Sequence, residues 1–210
     1  LSEEEFPKMM DELPDNLKVF VENELIELLW AKENLRPHLK YFYTMKKYKT
    51  VPIITTDDDQ MVYKNFAEIL YNSYLKNPNV VHACRCHLII KDSNKNIIPY
   101  RQWKWNCKTI KEPSFELFAT GVGTVLYPPN ILKISDDDLP MIRDILRQDD
   151  IFLKIKENIL GIKVKSVDGI SLGIDLKEIS IMQKEALNKI NTMNQNLNDV
   201  LIKKYKDYFK

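Results

Sequence analysis

The chain has 210 residues, 44% hydrophobic, 10% aromatic and 29% charged, enough for one large domain that buries roughly 70% of the surface its unfolded chain exposes. Disorder as a whole and a multidomain machine are excluded. Lys and Arg number 31 against 30 Asp and Glu, a net charge of +1, too little positive charge to hold a polyanion by counterion release, so nucleic acid is not an expected partner. No apolar run approaches the roughly 18 to 20 residues of a membrane-spanning helix. Three cysteines, Cys84, Cys86 and Cys107, form no spaced framework and read as a reducing, cytoplasmic setting. Leu1 to Phe6 lack the basic and apolar regions of a signal peptide, and the start at Leu1 rather than Met implies either a boundary chosen within a longer chain or a missing segment upstream.

Taken in chain order, Leu17 to Phe20 and Ile26 to Trp30 read as short extended or mixed segments. Leu35, Leu39, Phe42 and Met45 then recur at helical spacing and predict a helix over about 37–47. Val51 to Thr56 is a β-branched run that predicts a buried strand ending where Asp57, Asp58 and Asp59 begin. Tyr63, Phe66, Ala67, Leu70 and Tyr74 mark one face of a helix that stops before Asn77-Pro78-Asn79. Val80 to Ile90 reads as one long strand, with Cys84 and Cys86 on one face and Arg85 and His87 on the other. Trp103 and Trp105 stand in a charged segment of no clear period. Ala119 to Tyr127, with Gly121 and Gly123, is a glycine-containing strand or loop stopped by Pro128-Pro129. Helices are predicted through Leu139 to Leu146 and Ile151 to Leu160, a strand over 162–167, a basic amphipathic helix over 176–190, and a last helix containing Val200, Leu201 and Tyr205. Alternating strands and helices predict an α/β domain with a largely parallel central sheet flanked by helices. Ligands of such sheets bind beyond the carboxyl ends of the strands, where Asp57 to Asp59 fall.

Three adjacent carboxylates repel one another unless a cation or donors face them. Alternation aims Asp57 and Asp59 the same way, so one can ligate Mg²⁺ or Mn²⁺ while the other holds a second part of the ligand; a solvated acidic turn is the plainer reading. Asp149 and Asp150 open a helix, where carboxylates gain from the dipole and can serve as caps. Asp136 to Asp138 precede Leu139-Pro140 and read as capping. Cys84-x-Cys86-His87 has no second ligand pair at zinc spacing, and neither a nucleophile elbow nor a phosphate-binding loop is present.

The order of motifs resembles a bacterial glycosyltransferase of the GT-A, family 2-like type, the group associated with surface polysaccharide synthesis. The resemblance rests on Leu1-Ser-Glu-Glu-Glu-Phe-Pro, Leu35-Arg-Pro-His-Leu-Lys40, Ile53-Ile-Thr-Thr-Asp-Asp-Asp59, Ala119-Thr-Gly-Val-Gly-Thr-Val-Leu-Tyr-Pro-Pro129 and Gln148-Asp-Asp-Ile-Phe152. It runs over about residues 1 to 205, without the opening strand and helix that carry part of the base pocket in that group. It implies a GT-A like domain over 1–175 with a C-terminal helical segment, 176–210, packed on it.

The resemblance also implies a nucleotide-sugar donor, a UDP-sugar first, held by its diphosphate through Mn²⁺ or Mg²⁺, and a polysaccharide or lipid-linked saccharide acceptor. Carried over by position, Asp59 would be a metal ligand, Asp57 a contact to the ribose or to the metal's waters, and Asp58 and Lys40 parts of the donor site. Asp150 would be the general base that deprotonates the acceptor hydroxyl, and Asp149 its neighbour. Direct displacement would invert the anomeric carbon. The competing reading is a catalytically degenerate GT-A fold used for binding or assembly. Nucleotidyl transfer would want a glycine-rich basic loop near the start, which is not seen. The basic helix 176–190 leaves open a peripheral contact with the cytoplasmic face of the inner membrane or a homo-oligomer contact.

Overall fold

The computed structural model describes residues 1–57, 62, 64–168 and 196–209. Its strands are β1 (Ile53–Thr55), β2 (Val81–Ala83), β3 (Cys86–Leu88), β4 (Leu117–Ala119), β5 (Val125–Tyr127) and β6 (Val164–Ser166). Its α-helices are α1 (Asp15–Glu22), α2 (Phe42–Lys47), α3 (Phe66–Lys76), α4 (Leu139–Asp144), α5 (Asp149–Leu160) and α6 (Leu197–Lys204). The expected helix 176–190 lies outside the described residues. Among the described residues no helix is long and apolar enough to cross a membrane.

The domain is mixed α/β, but its main sheet is not largely parallel as expected. The order is β1-β5-β2-β6; β5 pairs antiparallel with both β1 and β2, and only β2 with β6 is parallel. Strands β1, β2 and β6 therefore all run one way, and β5 lies reversed between the first two. The cause is connectivity: β5 is reached from β4 through a short 3-10 turn at Gly121–Gly123 rather than through a crossover helix. Thr55 and Ala83 both pair with Val125, so the carboxyl ends of β1 and β2 and the amino end of β5 share one edge of the sheet.

Alternation sends side chains of these short strands into two cores. Val81, Ala83, Val125 and Tyr127 enter the larger one with Tyr41, Phe42, Ile142, Phe152 and Ile155. On the opposite face Leu126 packs with Leu70 and Phe66 of α3. His82 points to that side too, where its Nε2–H donates to the Asn77 carbonyl (3.0 Å) and its Nδ1 accepts from Ser73 (2.9 Å), a satisfied core histidine.

The expected long strand 80–90 is broken at Cys84 and Arg85, because its halves join different sheets. Below the break β2 pairs with β5; above it β3 pairs with β4. The strand's partners make the same change of sheet at Gly121–Gly123. Thr120 N–H donates to the Arg85 carbonyl (3.1 Å) and Cys84 N–H to the Thr124 carbonyl (3.2 Å), so backbone pairing continues on both sides of the gap. Thr124 takes φ 61°, an outlier for a β-branched residue. Its hydroxyl donates to the Gly123 carbonyl (2.6 Å) and accepts from the Cys84 thiol (3.0 Å).

Two further expectations are corrected. Leu17 to Phe20 is helical, in α1, where Asp15 favours the first turn and no strand partner is at hand. The expected helix 37–47 is divided into a 3-10 turn, Arg36–Lys40, and α2, since Pro37 cannot donate and Tyr41 leaves helical geometry. The run Asp136 to Asp138 is structural as expected: Ser135 and Asp138 form a capping box, and Asp138 also receives Lys156 at 2.7 Å. Helix α5 ends on Gly161 in the left-handed conformation, φ 70°. In its middle, buried Lys154 donates to the Leu117 carbonyl of β4 (2.8 Å) and to Glu157 (3.2 Å).

A Cβ on Gly123 would lie 2.3 Å from the Arg85 Cβ and 2.9 Å from its backbone nitrogen, whereas one on Gly121 would meet the ion-paired Lys40 Nζ at 2.5 Å and Asp150 Oδ1 at 3.3 Å. Gly123→Ala should therefore cost about 2–3 kcal/mol in denaturant unfolding, and Gly121→Ala about 1–3 kcal/mol, because it pushes Lys40 off its carboxylates.

Candidate functional site

The shared sheet edge collects the polar groups. Asp57 follows β1, Arg85 follows β2, and Gly121–Gly123 precede β5, while Asp149 and Asp150 begin α5. The 3-10 turn Arg36–Lys40 supplies Lys40 and is held against α5 by its own buried histidine. His38 Nε2–H donates to the Ile145 carbonyl (3.0 Å), which leaves Nδ1 to accept from the Tyr41 hydroxyl (2.6 Å). The His38 and Tyr41 rings both pack on Phe152 of α5, at 5.6 and 6.3 Å between centroids. Burial lowers the His38 pKa, so the ring stays a neutral strut at neutral pH.

Lys40 Nζ donates to Asp57 Oδ1 (2.8 Å) and lies 2.7 Å from Asp149 Oδ2. These side chains are 19%, 27% and 11% exposed. Burial works against the ammonium, but Asp149, Asp150 and Asp57 outweigh it and hold the Lys40 pKa above its usual value. Asp149 is the more buried of the two α5 acids and Asp150 is half-buried; Asp150 Oδ1 accepts from the Gly121 N–H (2.9 Å). Burial and the neighbouring Asp149 raise its pKa, Lys40 and the Gly121 N–H oppose them, and the balance leaves the carboxyl pushed up to about 7. A carboxyl that titrates near neutrality and is fixed in a polar cluster can exchange a proton with a bound hydroxyl.

Of the residues singled out in the sequence, Lys40, Asp57, Asp149 and Asp150 are brought together. Asp58 and Asp59 lie outside the described residues. Asp149 and Asp150 do open α5, but Gln148 is its cap position and makes no side-chain cap bond; the acids instead reach across to Lys40 and Gly121. Among the described residues no cluster of three His, Cys, Asp or Glu is arranged to hold a metal. Cys84, Cys86 and Cys107 are buried and unpaired with one another. Sequence reasoning missed the Gly121 N–H as a donor, the placement of Arg85 beside the glycine turn, and the backbone of Thr124. The glycines and the following proline pair marked the place, but no residue type announces which amide will face a carboxylate.

No protein family, curated protein or solved structure matches the chain.

The raised Asp150 pKa fixes the sign of a pH effect. Between about pH 4 and 7 the folded protein keeps a proton that the unfolded chain releases, so stability falls as pH rises through this window. Asp150→Asn should remove that loss and be more stable than wild type at pH 8 by about 1–3 kcal/mol, with little difference at pH 4, in urea titrations. Lys40→Met leaves its carboxylates without their cation and should cost about 2–4 kcal/mol at pH 8, less at pH 5, where Asp150 takes up a proton.

Proposed function

We propose that the chain is a metal-dependent, inverting glycosyltransferase of GT-A type, which transfers a sugar from a nucleotide-sugar donor to a saccharide acceptor. The observation that carries the reading is the half-buried Asp150, poised near neutral pH on the Gly121 N–H in the same cluster as the Lys40–Asp57 ion pair. A candidate base and a strand-end acid thus share one cluster with an ammonium, the kinds of group that hydroxyl attack on a sugar with an anionic leaving group would use.

Asp57 supports the donor half. Its carboxylate follows a strand end, remains part-exposed and is steadied by Lys40, and its oxygens are of the kind a hard cation takes. With Asp59 it would hold Mn²⁺ or Mg²⁺, which supplies charge neutralisation for a diphosphate leaving group. Lys40 adds a fixed positive charge near the developing negative charge. On the acceptor side, Asp150 in its ionised form accepts the hydroxyl proton at Oδ2 or Oδ1, and Asp149 keeps Lys40 beside it. His38, Tyr41 and Phe152 act only by positioning Lys40 and the start of α5.

The reading predicts calorimetric binding of UDP in Mn²⁺ that weakens at least tenfold in Asp57→Asn and in Asp59→Asn. Asp150→Asn should bind UDP as wild type does, yet lose about 10²–10⁴-fold of its UDP-sugar transfer or hydrolysis. The wild-type rate should rise with pH through about 7, following ionisation of Asp150. Absence of nucleotide binding, or equal turnover by Asp150→Asn, would count against the assignment.

A further inference from the structure

The second sheet carries a built aromatic surface that the donor and base residues do not use. Backbone pairing of β3 with β4 extends one step further, to Arg85 and Thr120, so Arg85 and His87 project from one face together with Phe118 and Thr120. On the other edge of β3, Leu88 exchanges backbone hydrogen bonds with Lys104 (2.9 and 3.2 Å), and Cys107 N–H donates to the Cys86 carbonyl (2.7 Å). This pairing lays Trp105 over His87, with centroids 5.0 Å apart and planes at 12°. Asn106 N–H donates to His87 Nδ1 (3.2 Å), and the Trp105 indole N–H donates to the Tyr100 carbonyl (3.3 Å). Tyr100 in turn packs against Trp103 and Phe118.

Trp105 is thus held from beneath and at its edge, yet it remains 46% exposed. A large indole so fixed, with a face left to solvent, presents a flat apolar plate at little further ordering cost. The C–H face of a pyranose is the ligand surface that fits such a plate. Burial lowers the His87 pKa to about 4, so the ring beneath the indole is neutral at working pH.

Arg85 lies on the same face and is only lightly engaged. Its guanidinium makes one long hydrogen bond, Nη1 to Thr120 Oγ1 at 3.4 Å, and no carboxylate among the described residues forms an ion pair with it. Thr120 is followed directly by Gly121, whose N–H holds Asp150, so the guanidinium and the candidate base attach to adjacent residues of one turn. Asp150 and Arg85 also act on the same Tyr100 hydroxyl, with opposite sign. A guanidinium without a carboxylate partner beside an aromatic plate suits a ligand that brings its own anion.

We propose that Trp105 and Arg85 form the acceptor subsite and select an acidic saccharide, with a pyranose ring laid on the indole, its carboxylate or phosphate substituent at Arg85, and a hydroxyl directed to Asp150. The proposal rests on the glycosyl-transfer reading for the role of the bound sugar. The binding itself can be tested separately.

Saturation-transfer NMR on the full chain with methyl β-D-glucuronide, glucose 6-phosphate and methyl β-D-glucoside reads it out. Signal transfer to the sugar C–H protons is expected for an anionic probe, with at least fivefold weaker binding of the neutral glucoside. The glucuronide and the phosphate arms tell which anion is preferred. Trp105→Ala should abolish the transfer, Trp105→Phe should retain it, and Arg85→Gln should level the anionic and neutral probes, all at unchanged thermal unfolding. No binding by either anionic probe, equal binding by wild type and Trp105→Ala, or a neutral probe bound as well as the anionic ones would overturn the proposal. UDP titration in Mn²⁺ separates the two readings: UDP binding without sugar binding removes the subsite alone, and sugar binding without UDP binding removes the transferase.

Discussion

The ammonium of Lys40 is the interaction on which the arrangement of this sheet edge depends. It joins Asp57, at the end of β1, to Asp149, at the start of α5, although these segments are far apart in sequence. Without a cation the three carboxylates Asp57, Asp149 and Asp150 would repel one another in a partly buried place, and desolvation would add to that cost. With it, Asp57 and Asp149 are held at contact distance while Asp150, held by an amide rather than by the ammonium, is left with an intermediate proton affinity. One lysine thereby holds two acids close while a third keeps a raised proton affinity.

That lysine is itself placed by packing. His38 grips a carbonyl at the corner before α5 and leans on Phe152, so the turn that carries Lys40 and the helix that carries the acids behave as one piece. The same economy is seen where the two sheets meet. Gly123 lets the glycine turn approach Arg85 closer than any side chain would permit, and this contact brings an arginine and a backbone donor to one place. The strained Thr124 backbone adjoins this contact, with its hydroxyl and the thiol of its partner Cys84 both satisfied. Local strain of this kind is commonly kept where geometry serves a site.

Much of the site was legible in the sequence because its acids are consecutive and follow recognisable signals. A β-branched run ending in Asp57, and a helical period opening at Asp149 and Asp150, gave both their positions and their association with element ends. Strand direction was not legible. The residues of β5 fit either orientation, and its reversed insertion between β1 and β2 follows from a turn whose outcome depends on tertiary contact with Arg85. The break at Cys84 and Arg85 was hidden for the same reason: alternation continues through it in the sequence while the hydrogen-bond partners change. Trp105 has no period to betray it, since its position comes from backbone pairing of a short irregular segment with β3.

The buried Lys154 fastens the second turn of α5 to the Leu117 carbonyl of β4. A helix anchored at its middle cannot slide along its axis without tearing that bond inside the core, where no water replaces it. Asp150, one turn away, therefore rides with the sheet as a stationary post. A molecule that reaches Asp150 therefore meets a carboxylate whose position is set by β4 and the glycine turn rather than by a free helix end.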